Sequence, residues 1–380
     1  MKVLVMYEYP PQPAGLATQG DLLYRGLKEL GVDVFPVNLH SHTEKEWYYR
    51  WFRPDVAVGI GYWGYAPEIV LHPQGHGITP LPWLVADGYV ANYREDINSL
   101  PLILVTSNWV REVYLEDGIV RPSIEILPVG CDTAKFVPAA AGDSRPAAIR
   151  EQLGISPDEI MILTAGGDAA SKGGQEVMQA LARIGKKVPP WRYVVKVWPQ
   201  KRTEKQNRLD SQLACSLGIS DRYVVLDDII SRNLMPFLMQ ACDIYAAPAR
   251  LEGFGMLQVE AGACAKPVIG LRAMGMLDTL VHGETAMLAG VAVENRVHEM
   301  RFGPESGYPP GTCINFDPPR IADFRASVDD ICDYLIDLMN HPALRERLGW
   351  AGRQRVERLY DYRVVAQEFL QIVQSHLGIT

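Results

Sequence analysis

Short apolar runs alternate with amphipathic stretches through the first third of the chain. The apolar runs are bounded by Gly, Pro, Asp or Asn, as buried strands are, and the amphipathic stretches have helical spacing. The predicted strands are 2–7, 32–37, 55–60, 81–86, 102–106 and 124–127. Helices are predicted over 20–30 and 44–53 and after a cap at Ser107. This alternation predicts a parallel sheet with helices on both faces.

The same alternation returns in the second half of the chain, after an unpatterned stretch. Residues 137–148 are small and contain Pro, which indicates a linker between domains. Strands are predicted over 160–164, 192–197, 224–226, 243–247 and 268–271. Residues 289–320 contain several Gly and Pro residues and are predicted to form an insertion or long loop. Helical periodicity then follows over 328–339, 344–359 and 362–377.

Length, charge and cysteine content exclude several classes of protein. A chain of 380 residues exceeds the size of a single hydrophobic core, so two domains are expected. The net charge of −8 argues against nucleic acid as the main partner. No apolar run reaches the length of a membrane span, and the first one is too short for a signal peptide. The six cysteines have neither disulfide-like nor metal-like spacing, so we expect a cytoplasmic protein.

The most informative pattern lies in residues 248–270. Two glutamates, Glu252 and Glu260, bracket a Gly-Phe-Gly turn that opens a helix. The N-terminus of a helix offers unpaired N–H groups and a positive dipole end, which suit a phosphate. Glu260 lies inside the helix, roughly 7 Å along its axis, so the two carboxylates can reach opposite sides of one phosphate-bearing ligand. A capped helix with one solvated and one capping glutamate is the alternative.

This segment resembles the E-x7-E signature of retaining group 1 (family 4-like) glycosyltransferases with the GT-B fold, which include sucrose synthases and bacterial mannosyltransferases. The resemblance implies an α/β protein of two Rossmann-like domains that face each other across a cleft. It also implies that Glu252 contacts hydroxyls of the donor sugar and that Glu260 hydrogen-bonds the nucleotide ribose. The backbone implied to hold the sugar and diphosphate is that of Gly253, Phe254, Gly255, Met256 and Leu257.

A second glycine-rich loop, residues 163–174, follows one predicted strand and precedes a helix. Its glycines let the backbone approach an anion, and Lys172 supplies a positive charge, although a surface lysine is the alternative. The loop resembles the family's Gly-Arg…Lys-Gly segment, in which arginine and lysine clamp the diphosphate. Lys172 matches, but Gly166 or Gly167 stands where arginine is usual. Gly167 is assigned to the donor site, and Asp168 either binds a sugar or acceptor hydroxyl or caps the helix.

Two further candidates lie in the first half of the chain. Residues 10–15 resemble the family's first loop, which implies that Gly15 approaches the donor diphosphate; a plain turn glycine is the alternative. Family members often carry a histidine near the end of the fourth strand, and Asp87 is the nearest polar residue here. Asp87 either accepts the proton of the acceptor or caps the following turn.

The resemblance also sets the predicted domains. Residues 1–140 form the acceptor domain and 149–362 the donor domain. In GT-B enzymes of this type the last helix crosses back, so residues from about 363 to 380 are expected to complete the first domain.

For three other features, a structural role is expected rather than a functional one. The aromatic residues at positions 47, 48, 51 and 52 fall on one helical face, which favours core packing over contact with a glycan or a membrane. His72 and His76 lie in a Gly-containing loop and are predicted to be solvated or turn residues. Asp227 and Asp228 have no third ligand nearby, so no metal site is expected.

Together with these patterns, the resemblance implies a retaining, metal-independent hexosyltransferase. It would move a sugar from a UDP- or GDP-linked donor to a hydroxyl acceptor, either a small molecule or a glycan. Glu252, Lys172 and Asp87 are the predicted catalytic residues. The nucleotide-diphosphate sugar is a co-substrate, no cofactor is expected, and a homo-oligomer is left open. The alternatives are a nucleotide-sugar-binding protein without transferase activity and a GT-B epimerase or phosphorylase.

Overall fold

The computed structural model describes residues 1–185, 187–199 and 201–379, without the side chains of 201–203 and 305. By their contacts these residues divide into two units. Unit 1 comprises Met1–Asp132, Asn295–Ala322 and Leu359–Thr380, and unit 2 comprises Thr133–Glu294 and Asp323–Arg358. The stretch 295–322, which the sequence placed with the second domain, therefore groups with unit 1.

Within the described residues, unit 1 is built around a six-stranded parallel sheet with the order β2-β1-β3-β4-β5-β6. The strands are β1 (Lys2–Tyr7), β2 (Asp33–Asn38), β3 (Val56–Gly61), β4 (Pro80–Leu84), β5 (Leu102–Val105) and β6 (Ser123–Ile126). The helices are α1 (Gly15–Glu29), α2 (His42–Trp51), α3 (His72–Gly75), α4 (Arg94–Asn98), α5 (Asn108–Glu116) and the last helix of the chain, Tyr362–Leu377. A 3-10 helix, Trp63–Tyr65, and a π-helix, Pro67–Leu71, precede α3.

Helix α1 packs closely against β1 and the last helix because it carries glycines on those faces. A Cβ atom at Gly20 would lie 2.4 Å from the Tyr7 ring, and one at Gly26 would lie 2.7 Å from the Cβ of Ala366. The first turn of α1 begins at Gly15, five residues earlier than the sequence predicted. Gly15 therefore opens a helix directly after the loop that follows β1.

Unit 2 holds a second parallel sheet, whose six strands in the described part of the chain have the order β9-β8-β7-β10-β11-β12. The strands are β7 (Ile160–Ala165), β8 (Trp191–Val197), β9 (Tyr223–Asp227), β10 (Ile244–Ala246), β11 (Val268–Leu271) and β12 (Ala286–Ala289). This is the Rossmann strand order. Successive strands are added on one side of β7 up to β9 and then on its other side from β10 onward, so the order reverses between β7 and β10.

The helices of unit 2 connect these strands and then close the unit. They are α6 (Arg145–Gln152), α7 (Gly174–Ile184), α8 (Lys201–Ser216), α9 (Met235–Ala241), α10 (Met256–Ala263), α11 (Met276–Thr279), α12 (Val328–Asn340) and α13 (Pro342–Leu359). Helix α6 begins at Arg145, so the last residues of the predicted linker are helical, with Pro146 in the first turn where proline is tolerated.

Of the two alternatives for residues 289–320, an insertion or a long loop, the long loop is wrong. Most of this stretch belongs to a two-stranded sheet of β13 (Val291–Phe302) and β14 (Thr312–Ala326), which we call the β-arm. Its aromatic residues anchor it in unit 1, where the Phe302 and Phe316 rings lie 5.9 and 5.2 Å from the ring of Tyr89. The strands are mostly exposed, so they lack the continuous apolar run that marks a buried strand.

Two other predictions for unit 1 are wrong in part, although Phe52 of the aromatic face is buried and His76 is an exposed turn residue. The Trp47 and Trp51 side chains on α2 are 54% and 57% exposed rather than in the core, and their rings stack at 4.8 Å. His76 is exposed in the turn that ends α3, as predicted, whereas His72 begins α3 and is half-buried. Among the described residues, no helix combines the length and apolar character needed to cross a membrane.

Candidate functional site

Two loops meet at the carboxyl edge of the unit 2 sheet, where the winding reverses. Residues 166–173 follow β7 and residues 247–255 follow β10, and these strands are neighbours. The Arg250 N–H donates to the Ser171 carbonyl at 2.9 Å. Gly173 has φ +77°, and a Cβ atom there would lie 2.3 Å from the Pro248 carbonyl oxygen, so only glycine fits this contact. Ligands of doubly wound sheets bind at this position.

Lys172 and Glu252, one from each loop, form an ion pair. The Lys172 Nζ lies 2.8 Å from Glu252 Oε2, and the side chains are 23% and 18% exposed. Glu252 Oε1 accepts a hydrogen bond from the Gly255 N–H at 3.1 Å. Burial raises the pKa of Glu252, but Lys172 and the N–H groups of the turn outweigh it and hold the pKa below its usual value. Glu252 is therefore a carboxylate at neutral pH.

The predicted turn residues lie directly beside this ion pair, at the start of α10. Gly255 is the N-cap with φ +93°, Phe254 is buried, and Met256 and Leu257 form the half-buried first turn. The segment after β11 packs against this turn. Thr279 Oγ1 donates to the Phe254 carbonyl at 3.2 Å, and a Cβ atom at Gly275 would lie 2.0 Å from the Gly253 carbonyl oxygen. The backbone N–H groups that were predicted to bind phosphate are thus rigidly placed.

Glu260 lies inside α10 and is only 1% exposed. Its carboxylate makes two hydrogen bonds with the guanidinium of Arg232, one of them from Nη1 to Oε2 at 3.1 Å. Arg232 follows β9 and lies over the ring of Phe136, with its guanidinium carbon 5.2 Å from the ring centroid. The sequence did not single out Arg232. No motif surrounds Arg232. The sequence shows only that a positively charged residue lies in a loop that leaves the same edge of the sheet.

The contacts of Asp168 lie within the loop and do not cap α7, whose N-cap is Gly173. Its Oδ1 accepts from the Ser171 N–H at 2.6 Å and its Oδ2 from the Ser171 hydroxyl at 3.0 Å, which closes the turn before α7. Gly166 has a separate steric reason to be glycine. A Cβ atom there would lie 2.6 Å from Cγ of Lys172, so the lysine stem fills the space of a side chain. A Cβ atom at Gly167 would lie 3.5 Å from Cε3 of the Trp198 ring, which is an ordinary van der Waals contact.

Gly15 and Asp87 belong to unit 1, unlike the other predicted site residues. Gly15 is exposed and opens α1 at the point where the unit 1 sheet reverses, between β1 and β3. Asp87 is exposed in the loop after β4. Burial, and then the charge of Asp87, raise the pKa of Tyr89 to about 12. The structure thus places both at carboxyl ends of strands, and their roles stay predictions.

Comparison with known sequences finds a family match over part of the chain. Residues 147–300 match the family described as Glycosyl transferases group 1. The chain is 32% identical over 218 residues to the D-inositol 3-phosphate glycosyltransferase of Xylanimonas cellulosilytica, which covers 57% of this chain and 48% of that protein. It is 22% identical over 317 residues, 82% of this chain and 71% of the other, to the GDP-mannose-dependent monoacylated alpha-(1-6)-phosphatidylinositol monomannoside mannosyltransferase of Corynebacterium glutamicum. The chain therefore spans about half the length of the Xylanimonas relative.

Comparison with solved structures confirms the predicted GT-B fold. Sucrose-phosphate synthase from Thermosynechococcus elongatus superposes with a TM-score of 0.75 at 16% identity, over 100% of both chains. Anabaena HepE in complex with UDP and glucose superposes with a TM-score of 0.72 at 14% identity, over 99% of this chain and 100% of that chain. At such low identity the likeness concerns the fold alone.

Proposed function

We propose that this chain is a retaining hexosyltransferase, because residues 147–300 match the family described as Glycosyl transferases group 1. It transfers a sugar from a nucleoside-diphosphate sugar to a hydroxyl group of an acceptor. The observation that carries the proposal is the Lys172–Glu252 pair, which lies on the first turn of α10 where the unit 2 sheet reverses. A cation, a carboxylate and a helix N-terminus at one point suit a ligand that has both phosphate and hydroxyl groups.

The chemistry separates two charges as the glycosidic C–O bond breaks. Negative charge develops on the leaving diphosphate, and Lys172 and the N–H groups at the start of α10 stabilise it. Positive charge develops on the sugar ring, while Glu252 accepts hydrogen bonds from the sugar hydroxyls. Because Lys172 already neutralises Glu252, both groups are charged and oriented before the donor arrives.

Glu260 and Arg232 account for the nucleoside end of the donor in this proposal. Glu260 accepts from the ribose hydroxyls, and the two hydrogen bonds from Arg232 fix the orientation of its carboxylate. Arg232 also adds positive charge at the same sheet edge, where the family's usual arginine is replaced by Gly166 or Gly167. The half-exposed guanidinium therefore offsets part of the lost charge.

The donor carries UDP or GDP. The Corynebacterium relative is named as GDP-mannose-dependent, and the structural neighbour HepE was crystallised with UDP and glucose. The acceptor is a small molecule or a glycan, and Gly15 and Asp87 of unit 1 are the candidates for the diphosphate and acceptor sides. We further propose a front-face path, in which the acceptor attacks the sugar from the side that the diphosphate leaves. The leaving phosphate takes the acceptor proton while the new glycosidic bond forms.

A thermal-shift screen against UDP, GDP, ADP and their sugar conjugates tests donor binding. One nucleotide family should raise Tm, and Glu260→Ala should abolish that rise. Glu284→Ala is the matched control, because Glu284 is exposed in unit 2 and should leave the rise intact. The ligand-induced change is compared within each variant, since Glu260→Ala also leaves Arg232 without its carboxylate. If no nucleotide raises Tm, the donor site is not the one proposed.

Turnover separates the transferase from a binding protein. With the donor identified, wild-type protein should release nucleoside diphosphate in the presence of an acceptor and form a glycoside. Binding without release would instead indicate a nucleotide-sugar-binding protein, and an altered sugar without transfer would indicate an epimerase. A glycosyl-enzyme adduct in intact-mass spectra would refute the front-face path.

A further inference from the structure

A cluster of histidine and glutamate side chains lies in unit 1, between α2 and the helical segment 67–75. The ring centroids of His42 and His72 are 4.4 Å apart, and those of His72 and His76 are 4.8 Å apart. Glu46 and Glu68 lie beside these rings. The proposed transfer reaction uses none of these residues. Three neighbouring histidine rings therefore indicate a separate role.

Three of these side chains converge on a common point. One ligand atom each from Glu46, His72 and His76 lies within 4.8 Å of the other two. The distance from His76 Nε2 to Glu46 Oε1 is 3.9 Å. In a tetrahedral zinc site with bonds of about 2.0–2.1 Å, ligand atoms lie about 3.4 Å apart, so small rotations of partly exposed side chains would complete the geometry. His72 and His76 are also four residues apart, a spacing used by zinc-binding pairs on helices.

The hydrogen bonds of both histidines are compatible with an Nε2 atom that binds an ion. The Nδ1 of His76 lies 2.9 Å from the His72 carbonyl oxygen, so this nitrogen carries the proton. The Tyr49 hydroxyl lies 3.5 Å from Met6 Sδ and 3.4 Å from His72 Nδ1, so the His72 tautomer protonated on Nδ1 can donate to the Tyr49 oxygen and keep Nε2 for an ion. A ligating histidine in proteins typically donates its other N–H to such a partner.

The neighbouring cations are each paired with a carboxylate. Arg50 Nη2 donates to Glu46 Oε2 at 3.3 Å, which leaves Oε1 turned toward His76. The fully buried Lys45 pairs with Glu68 at 2.6 Å. His42 Nε2 lies 2.9 Å from the same Glu68 carboxylate. Positive charge near the cluster is therefore balanced, and one oxygen of Glu46 points to the imidazoles.

We propose that Glu46, His72 and His76 form a binding site for a divalent transition-metal ion such as Zn²⁺. Two imidazole nitrogens and one carboxylate oxygen match the ligand types that such ions prefer. Three protein ligands leave a fourth position for water. The ion would link α2 to α3, which β3 and two short helices separate along the chain, and would stabilise unit 1 rather than take part in sugar transfer.

Zinc binding to tag-free, chelator-treated protein tests the proposal. Isothermal titration with Zn²⁺ should show binding to one site, and Tm should rise with Zn²⁺. His76→Gln should weaken binding by at least about tenfold, since even changes beside a metal ligand cost that much. His298→Gln is the matched control, because His298 is exposed on the β-arm, and it should bind Zn²⁺ like wild type.

A second ligand variant and the absorption spectrum of bound Co²⁺ test the same site independently. Glu46→Gln should weaken Zn²⁺ binding as His76→Gln does, and Co²⁺ should give the visible absorption of a tetrahedral site in wild type and the control alone. Circular dichroism checks that each variant is folded. Absence of Zn²⁺ binding to folded wild type, or equal affinity in wild type and His76→Gln, would overturn the proposal.

Discussion

At the residue scale, the central group is the Lys172 ammonium, which sits on the carboxylate of Glu252 at the start of α10. Lys172→Met keeps the aliphatic stem over Gly166 and removes only the charge. We expect kcat to fall by about 10²–10³, because the leaving diphosphate loses a preorganised cation. The measurement is the rate of nucleoside diphosphate release with the identified donor and acceptor.

Lys205→Met is the control for this variant. Lys205 is exposed on α8 and should tolerate the same substitution with unchanged kcat. A rate in Lys172→Met within a few-fold of wild type would remove Lys172 from the catalytic role.

The pH dependence of stability tests the environment of Glu252. Its pKa in the folded protein lies below the usual 4.5, so its carboxylate stabilises the fold above that pH. This contribution is lost as the pH falls through the lowered pKa. Glu252→Gln has no such proton to bind, so its Tm should fall less than that of wild type on acidification from neutral pH to below 4.5. Calorimetry at several pH values measures the difference, and parallel curves for the two proteins would contradict it.

At the element scale, the turn before α10 depends on the glycine behind it. Gly275→Ala puts a Cβ atom 2.0 Å from the Gly253 carbonyl oxygen, and backbone must move to relieve the contact. We expect a loss of about 3 kcal/mol in the free energy of unfolding and weaker donor binding. Gly75→Ala is the control, since no atom lies within 4 Å of its Cβ position. Denaturant unfolding measures both, and equal stabilities would show that the turn is not held by this contact.

The β-arm is held to unit 1 by a buried ion pair. Arg320 donates to Asp117 Oδ1 from Nε at 2.9 Å and from Nη2 at 2.7 Å, and the Asp117 side chain is 1% exposed. Arg320→Ala leaves this carboxylate with the more distant Arg94, at 3.5 Å. We expect a loss of about 3 kcal/mol in stability, at the lower end for a broken buried pair, because Arg94 remains.

Arg296→Ala is the matched control on the same arm. Arg296 is exposed and donates to the Pro319 carbonyl, so its loss should cost less than about 1 kcal/mol. If the two arginine variants unfold at the same denaturant concentration, the ion pair does not anchor the arm.

At the scale of the whole molecule, the sequence predicted every strand of the two sheets except β12, because most of these strands are buried on both faces. Val56–Gly61, for example, is an unbroken buried strand and therefore an unbroken apolar run. The β-arm escaped prediction because its strands are exposed and polar, and its Gly and Pro residues resemble a loop. Trp47 and Trp51 were misplaced because helical periodicity identifies an apolar face without showing what covers it.

The candidate site divides in the same way. Lys172, Glu252 and the turn of α10 could be predicted because short contiguous motifs carry them. The pairing of Arg232 with Glu260 could not, since the fold alone brings these distant residues together. The same holds for Glu46 with His72 and His76, which come from separate helices.

The anomeric configuration of the product tests the central claim most directly. Proton NMR of the anomeric signal during turnover, with the donor identified by the thermal-shift screen, compares the linkage in the donor with that in the product. We expect nucleoside diphosphate release together with a glycoside of the same anomeric configuration as the donor. An inverted product, or release of nucleoside diphosphate without any glycoside when acceptor is saturating, would contradict a retaining glycosyltransferase.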